Sequence, residues 1–192
     1  MQAGYPLTRF VYRRLSGRVA ARLVPTRLTP THVTYFSAAL SFGGGLAFAF
    51  GAFYLGAALT LLGSLTDCVD GDLARLSNTQ SKAGAYLDHV FDRWTAAALV
   101  LGLTFSALES LAPVGIAALV GSFMTSYTRT KAQAVGTDCE VGLGGRDARM
   151  LGLVVAGVAG QPAIGLGVVA AAGLFTAVQR MVWTIRHLDA RA

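Results

Sequence analysis

Long uncharged apolar stretches dominate this sequence of 192 residues. They cover residues 33–65, 94–108, 111–128 and 150–179. A helix that crosses a bilayer needs roughly 20 mostly apolar residues, so 33–65 and 150–179 are each too long for one span. We expect them to break at glycine-rich or proline-containing turns, near Gly51 and near 160–162. The sequence therefore predicts an all-α integral membrane protein with six transmembrane helices.

Charged residues are scarce, which separates this chain from an ordinary water-soluble protein. Only 14% of its residues are charged, against about a quarter in soluble domains. The alternative is a helical protein that buries these stretches in its own core. A chain of this length cannot cover so much uncharged helix without lipid, so the membrane interpretation is favoured. Cys68 and Cys139 are interpreted as reduced thiols in or near the cytoplasm.

The net charge of +6 is distributed unevenly along the chain. The three connections near Gly51, Glu109 and Gln161 contain no lysine or arginine. Cytoplasmic loops carry an excess of these residues, so both termini and the basic connections are predicted to be cytoplasmic. The charge is assigned to membrane orientation, and no nucleic-acid partner is expected. The basic residues that define this alternation are Arg9, Arg13, Arg14, Arg18, Arg22 and Arg27; Arg75 and Lys82; Arg129, Lys131, Arg146 and Arg149; and Arg180, Arg186 and Arg191.

Residues 1–28 are interpreted as a juxtamembrane segment at the start of a single domain, 1–192. Between residues 5 and 23, arginines occupy one side of a predicted helix and apolar residues another. This pattern is typical of an amphipathic helix that lies in the membrane interface and contacts anionic head groups. A basic arm that only sets orientation is the alternative, and the two roles are compatible. The apolar positions recur at four-residue steps: Leu7, Val11, Leu15, Val19 and Leu23.

Five aspartates lie within 26 residues beside two predicted spans, and they make up half of the ten acidic residues. They are Asp67, Asp70, Asp72, Asp88 and Asp92. Carboxylates at membrane depth are costly and indicate function by default. Helical spacing places Asp67 and Asp70 on one face, and Asp88 and Asp92 on one face of the next helix. A tight turn over 76–83 would bring the two faces together.

Converging carboxylates in a site of low dielectric constant need protonation or cationic counter-charge. All-oxygen ligands suit Mg²⁺ or Mn²⁺, and a pair of such ions is a recurrent device in phosphate chemistry. The small residues Gly71, Ala74 and Gly84 leave room for a ligand near the backbone. Close helix packing is the alternative reading of these three positions.

The residues from Asp67 to Asp92 read D-x2-D-G-x2-A-R-x8-G-x3-D-x3-D. At every fixed position this pattern resembles the signature of the CDP-alcohol phosphotransferases. The resemblance implies a six-helix fold, usually a homodimer, with a polar cavity open to the cytoplasm. It also implies a reaction in which a phosphoryl-alcohol group passes from a CDP-activated lipid donor to a second alcohol, releasing CMP.

The resemblance further implies roles for individual residues. Asp92 is expected to act as the general base. The segment Pro30-Thr31-His32 stands where many members have Pro-Asn, and the role of His32 is left open. Two Mg²⁺ or Mn²⁺ ions are expected on Asp67, Asp70, Asp88 and Asp92. The CDP group is expected to contact Asp70, Gly71, Ala74, Arg75 and Gly84.

Basic residues in the second half of the chain bear on the acceptor. Their arrangement is most similar to the subgroup of phosphatidylinositol-phosphate and archaetidylinositol-phosphate synthases, which implies a phosphorylated alcohol, inositol phosphate, as acceptor. Membrane orientation alone is the alternative explanation of these charges. The residues expected to bind the acceptor phosphate are Ser126, Arg129, Lys131, Arg149 and Arg180.

Other functions stay open at this point. The acceptor is alternatively glycerol 3-phosphate or another alcohol, or the chain is a soluble-inositol-phosphate synthase; Gly145-Arg146-Asp147-Ala148-Arg149 is nearer to such enzymes. A divalent-cation transporter is the non-enzymatic alternative, because aspartates in membranes also line ion pathways. Against a transporter, 150–179 is nearly bare of polar groups. A catalytically silent scaffold is disfavoured because all four signature aspartates are present.

Overall fold

The computed structural model describes residues 13–137, 139, 141–142 and 145–189, and these form helices and connecting turns without strands. This confirms the all-α prediction for the described residues. The helices divide into two compact units, which meet in sequence at Gly102 and Leu103. The single domain over 1–192 stays a prediction. The helices are α1 (Arg13–Leu23), α2 (Pro30–Ala49), α3 (Phe53–Leu76), α4 (Lys82–Phe105), α5 (Leu108–Ala134), α6 (Arg146–Val158) and α7 (Pro162–Asp189).

The start of α2 is fixed by a reciprocal cap. The Thr29 hydroxyl accepts a hydrogen bond from the His32 backbone N–H, and Nδ1 of His32 accepts one from the Thr29 N–H. Pro30 occupies the first turn, where its missing N–H costs nothing. Capping of this kind satisfies backbone donors that the helix cannot. His32, whose role the sequence left open, thus caps α2 and sets where this helix begins.

Glycines allow the helices of the first unit to approach closely. A Cβ atom on Gly45 of α2 would lie 2.5 Å from the Ala98 carbonyl oxygen of α4, and one on Gly102 would collide with the Gly45 backbone. A Cβ atom on Gly44 would lie 2.8 Å from the Thr60 hydroxyl of α3. Small residues at such crossings are typical of helices packed in membranes, where close backbone contact replaces the hydrophobic driving force.

Helix α1 packs against the first unit through one apolar face. Val19, Ala20 and Leu23 contact a buried cluster formed with Val33 and, from α3, Val69 and Leu73. Leu15, predicted to share this face, is 47% exposed, whereas Ser16 is fully buried. The buried face is centred on Ser16 and Ala20, one residue beyond the predicted positions, and Val19 and Leu23 of the predicted set pack beside it. Residues 5–12 of the predicted amphipathic helix lie outside the described residues.

The second unit contains α5, α6 and α7. The backbones of α5 and α7 cross where Gly121 meets Gly173, and the Thr125 hydroxyl donates to the Gly173 carbonyl at 2.8 Å. The turn between α6 and α7 contains Gly160 at a φ of +62°, a conformation that favours glycine. This break, like that at Gly51 (φ +74°), lies where the sequence predicts it.

Two of the described helices, α5 and α7, are long and apolar enough to cross a membrane. Helix α6 has 13 residues, shorter than the roughly 20 that a straight span requires. Helix α2 has 20 residues without any Lys, Arg, Asp or Glu. The number of spans therefore stays a prediction.

Candidate active site

The end of α3 and the start of α4 carry the signature residues, and a five-residue turn joins them. Asn78 adopts a φ of 54°, which asparagine tolerates better than most residues. The Thr79 N–H donates to the Ala74 carbonyl at 3.0 Å, and the Gly84 N–H donates to the Ser81 hydroxyl at 3.0 Å. These bonds close one helix and open the next, so that the two acidic faces meet, as the sequence predicts.

Three of the signature carboxylates converge. One oxygen each from Asp67, Asp70 and Asp88 lies within 4.8 Å of the others. Asp70 is 6% exposed, so water screens little of its charge. Hard divalent ions take several carboxylate oxygens as ligands, and small rotations would bring this group to bonding distance. The donor set therefore fits Mg²⁺ or Mn²⁺.

Thr34 of α2 supports this group, although the sequence alone did not single it out. Its hydroxyl is buried and lies 2.5 Å from Oδ2 of Asp70. A donor on one carboxylate oxygen fixes the orientation of the other, as partners of metal ligands generally do. Thr34 follows Pro30 by one helical turn and therefore shares its face, and this spacing is the signal that would have found it.

Asp92 lies one turn of α4 beyond Asp88 and is not among the three carboxylates grouped above. Its Oδ2 atom lies 3.5 Å from the guanidinium of Arg93, and its side chain is 18% exposed. The Asp88 carboxylate lies 3.7 Å from Nδ1 of His89. The metal and base roles of Asp92 stay predictions.

A cavity of about 610 Å³ opens beside the carboxylates, within the range of small-molecule sites. Its walls come from the start of α2, the end of α3 and the start of α4. The sequence did not assign Gln80, Ser81 and Lys82, which also line it. All five residues predicted to contact CDP lie in its wall: Asp70, Gly71, Ala74, Arg75 and Gly84.

The residues predicted to bind an acceptor phosphate belong to the second unit and differ in exposure. Arg180 is 3% exposed; its Nε donates to the Val141 carbonyl at 2.9 Å and its Nη1 to the Thr125 carbonyl at 2.6 Å. Arg149 is also buried. Lys131 is exposed, with Nζ 5.6 Å from the centre of the Tyr127 ring. Ser126 and Arg129 are half-buried.

The sequence model of the CDP-alcohol phosphatidyltransferases matches residues 27–184, which includes every residue assigned above to the cavity and the carboxylate group. The chain belongs to the CDP-alcohol phosphatidyltransferase family. It is therefore a transferase, and the eight signature positions lie in the part of the chain that this family shares.

Two relatives of this phosphatidyltransferase illustrate the range of the family. A bifunctional IPC transferase and DIPP synthase from Rubrobacter xylanophilus is 37% identical over 92% of this chain. The chain spans only 42% of the length of that protein. An archaetidylinositol phosphate synthase from Methanothermobacter thermautotrophicus is 28% identical over 93% of this chain and 92% of its own length.

Solved structures of the phosphatidylinositol phosphate synthase of Mycobacterium tuberculosis share the fold of this phosphatidyltransferase. The form with CDP-DAG bound has a TM-score of 0.82 and 28% identity, covering 89% of this chain and 94% of that one. The complex with manganese and citrate has a TM-score of 0.79 and 27% identity, covering 88% of each chain. A similar protein thus binds a CDP-lipid and a divalent metal.

Proposed function

We propose that this phosphatidyltransferase moves a phosphoryl-alcohol group from a CDP-activated lipid to inositol phosphate and releases CMP. The observation that carries the proposal is the cavity beside Asp67, Asp70 and Asp88. Its wall contains all five residues expected to contact CDP. The CDP-DAG complex of the mycobacterial relative supports a CDP-lipid as donor.

The side chains at and beside the cavity have three proposed roles, which are metal binding, proton removal and orientation of the substrates. Asp67, Asp70 and Asp88, with Asp92, would hold two Mg²⁺ or Mn²⁺ ions, which neutralise diphosphate charge when bound. Asp92 removes the proton from the acceptor hydroxyl. The acceptor oxygen then bonds to the phosphorus that carries the donor alcohol, and the bond from that phosphorus to CMP breaks. The cavity wall contributes by orientation, which supplies much of the rate of phosphoryl transfer.

Two observations support inositol phosphate as the acceptor. They are the products for which the relatives are named and the basic side chains of the second unit. The archaetidylinositol phosphate synthase and the phosphatidylinositol phosphate synthase are both named for a product that contains inositol phosphate. A guanidinium or ammonium group suits a phosphate dianion. Arg129 and Lys131 are the better residues to test, because two N–H groups of buried Arg180 already bind backbone carbonyls.

A second candidate keeps the reaction and changes the donor. The Rubrobacter relative, at 37% identity, is named a DIPP synthase as well as an IPC transferase. The run from Gly145 to Arg149 also pointed to such enzymes. In this alternative the CDP-activated alcohol is a soluble inositol, so a lipid donor and a soluble donor must be compared directly.

The proposed setting is the cytoplasmic membrane. Helices α2 to α7 are proposed as six spans with both termini and the cavity on the cytoplasmic side, as the distribution of basic residues favours. A homodimer is proposed from the family resemblance. The apolar character of α5 and α7 supports membrane insertion.

The test is release of CMP by the purified protein in lipid. Donors are CDP-diacylglycerol, CDP-archaeol and CDP-inositol; acceptors are inositol 1-phosphate and glycerol 3-phosphate. We expect release with a CDP-lipid and inositol 1-phosphate only, abolished by chelation and restored by Mg²⁺ or Mn²⁺. Arg129→Gln should raise the KM for inositol phosphate, whereas Arg186→Gln, an exposed arginine near the end of α7, should not.

The outcomes separate the alternatives. Release with CDP-inositol rather than a CDP-lipid would select the soluble-donor function. Release with glycerol 3-phosphate would retain the reaction and remove inositol phosphate as acceptor. Metal uptake into vesicles without any CMP release would favour a divalent-cation transporter.

A further inference from the structure

Asp72 is the one aspartate of the dense acidic cluster that the proposed reaction does not use. It follows Asp70 by two residues, which is a rotation of about 200° around α3. Its carboxylate consequently lies away from the group formed by Asp67, Asp70 and Asp88. Its side chain is only 16% exposed, so it has lost most of its contact with water, and this loss requires compensating partners.

The two oxygens of Asp72 bind two different elements. Oδ2 accepts a hydrogen bond from the hydroxyl of Ser16 in α1 at 2.5 Å. Oδ1 accepts from Nη2 of Arg75, one turn further along α3. Ser16 is fully buried and its bond to Asp72 is partly buried, so water competes with this bond less than it would at the surface. A single carboxylate thus joins α1 to an arginine of the CDP signature.

The Arg75 guanidinium that binds Asp72 lies beside Gly71. A Cβ atom on Gly71 would be 3.7 Å from Nη1 and 3.8 Å from Nη2 of Arg75, so the guanidinium lies over the glycine backbone. Both Gly71 and Arg75 line the cavity. Arg75 is half exposed and has several rotatable bonds, so without an anchor it would sample many positions.

Apolar contacts hold α1 in the position that this bond requires. Val19, Ala20 and Leu23 pack on Val69 and Leu73 of α3, on either side of the Asp72 position along the chain. Ser16 precedes Ala20 by one turn, so both lie on the buried face of α1. Docking of α1 and the Ser16 bond therefore depend on each other.

We propose that Asp72 is a positioning residue that holds the Arg75 guanidinium at the donor cavity and makes its position depend on docking of α1. The proposal rests on the proposed function, since Arg75 is taken to contact the diphosphate of the CDP group. Asp72 touches neither donor nor acceptor. It acts by limiting the freedom of Arg75, which lowers the entropy lost when the nucleotide binds.

The test is a double-mutant cycle on the affinity for CDP with Mg²⁺, measured by calorimetry on the full chain in lipid. Asp72→Asn should weaken CDP binding by about five- to tenfold, the usual cost of ordering one long side chain on binding. Arg75→Gln should weaken it at least as much. The double variant should bind CDP no more weakly than Arg75→Gln alone, because Asp72 acts only through Arg75. In turnover, Asp72→Asn should raise the KM for the donor more than it lowers kcat.

Ser16→Ala provides a second, milder variant that removes the link to α1. Ser16→Ala should weaken CDP binding when it is introduced into the wild type. Added to Asp72→Asn, it should cause no further loss of affinity for CDP. Glu109→Gln and Ser110→Ala, exposed at the start of α5, are the matched controls and should bind CDP as the wild type does. Thermal melting of each variant identifies any loss of folding, and Asp72→Glu should restore part of the affinity.

The outcomes distinguish this inference from the function on which it rests. If the wild type does not bind CDP, the proposed function fails and the inference with it. If the wild type binds CDP and Asp72→Asn binds it equally well, only the inference is overturned. The inference would also be overturned if the double variant lost CDP affinity by the product of the two single losses. Independent losses of that kind are what a general structural role of Asp72 predicts.

Discussion

At the scale of single residues, the site depends on how each carboxylate oxygen is occupied. One oxygen of Asp70 accepts a hydrogen bond from the Thr34 hydroxyl. The two oxygens of Asp72 accept hydrogen bonds from Ser16 and Arg75. The Asp92 carboxylate lies near Arg93. Chemically identical side chains therefore lie in different environments. A carboxylate with a buried partner is held in one orientation, which is the condition for ordered metal binding or proton transfer.

Asp92→Asn should abolish turnover without unfolding the protein. The amide has the shape of the carboxylate but cannot take a proton, and loss of a general base costs about 10²- to 10⁴-fold in rate. The measurement is CMP release under saturating substrates, with thermal melting as the check on folding. A variant that turns over at the wild-type rate would remove Asp92 as the base.

Thr34→Val should lower the affinity for Mn²⁺ by about 10- to 100-fold, the usual effect of losing a partner of a metal ligand. Valine keeps the shape of threonine and removes the hydroxyl that binds Asp70. Thr34→Ser keeps the hydroxyl and is the matched control. Titration of Mn²⁺ by electron paramagnetic resonance reports the affinity without any turnover. Equal affinities for the two variants would mean that Thr34 does not orient Asp70.

At the scale of helices, close crossings decide which parts of the sequence meet. Helix α2 approaches α4 at Gly45 and α3 at Gly44, and the cap at Thr29 and His32 sets where its first turn lies. The start of α2 consequently reaches the acidic ends of α3 and α4 and closes the cavity wall. The helix crossings, far from the carboxylates in sequence, therefore contribute to the shape of the site.

Gly45→Ala should destabilise the protein, whereas Gly43→Ala should not. A Cβ atom on Gly45 would lie 2.5 Å from the Ala98 carbonyl oxygen, but one on Gly43 would make an ordinary 3.6 Å contact with Leu59. Overpacking of a core costs typically about 1–3 kcal/mol, while alanine is otherwise better than glycine in a helix by about 1 kcal/mol. Thermal melting in detergent should show a lower Tm for Gly45→Ala only. A Tm equal in both variants would show that α2 and α4 can separate freely.

At the scale of the whole molecule, the proposed topology crosses the membrane six times. Helices α5 and α7 have the length and apolar character of spans, and the basic residues alternate between connections. Helix α6, with 13 residues, is the shortest of the six proposed spans. The proposed topology places the turns at Gly51 and Gln161 outside the cell and the end of α7 inside.

Cysteine labelling in intact cells tests this topology. In a Cys68→Ser, Cys139→Ala background, Ala52→Cys and Gln161→Cys should react with a membrane-impermeant maleimide, because their connections lack the basic residues that stay in the cytoplasm. Arg186→Cys should react only after the cells are opened. Labelling of Ala52→Cys and Arg186→Cys under the same condition would contradict the proposed topology.

The sequence by itself determined the helical class, the breaks at Gly51 and Gly160, the family and five residues of the cavity wall, which are Asp70, Gly71, Ala74, Arg75 and Gly84. It could do so because apolar length, glycine turns and the spacing of aspartates on a helix are local properties of the chain. Only the tertiary structure revealed the hydrogen bonds from Thr34 to Asp70 and from Ser16 to Asp72, because the partners lie 36 and 56 residues apart in the sequence. It also showed that two N–H groups of Arg180 donate to backbone carbonyls. The sequence could not show this, since burial and hydrogen-bond partners are set by packing between helices rather than by residue type.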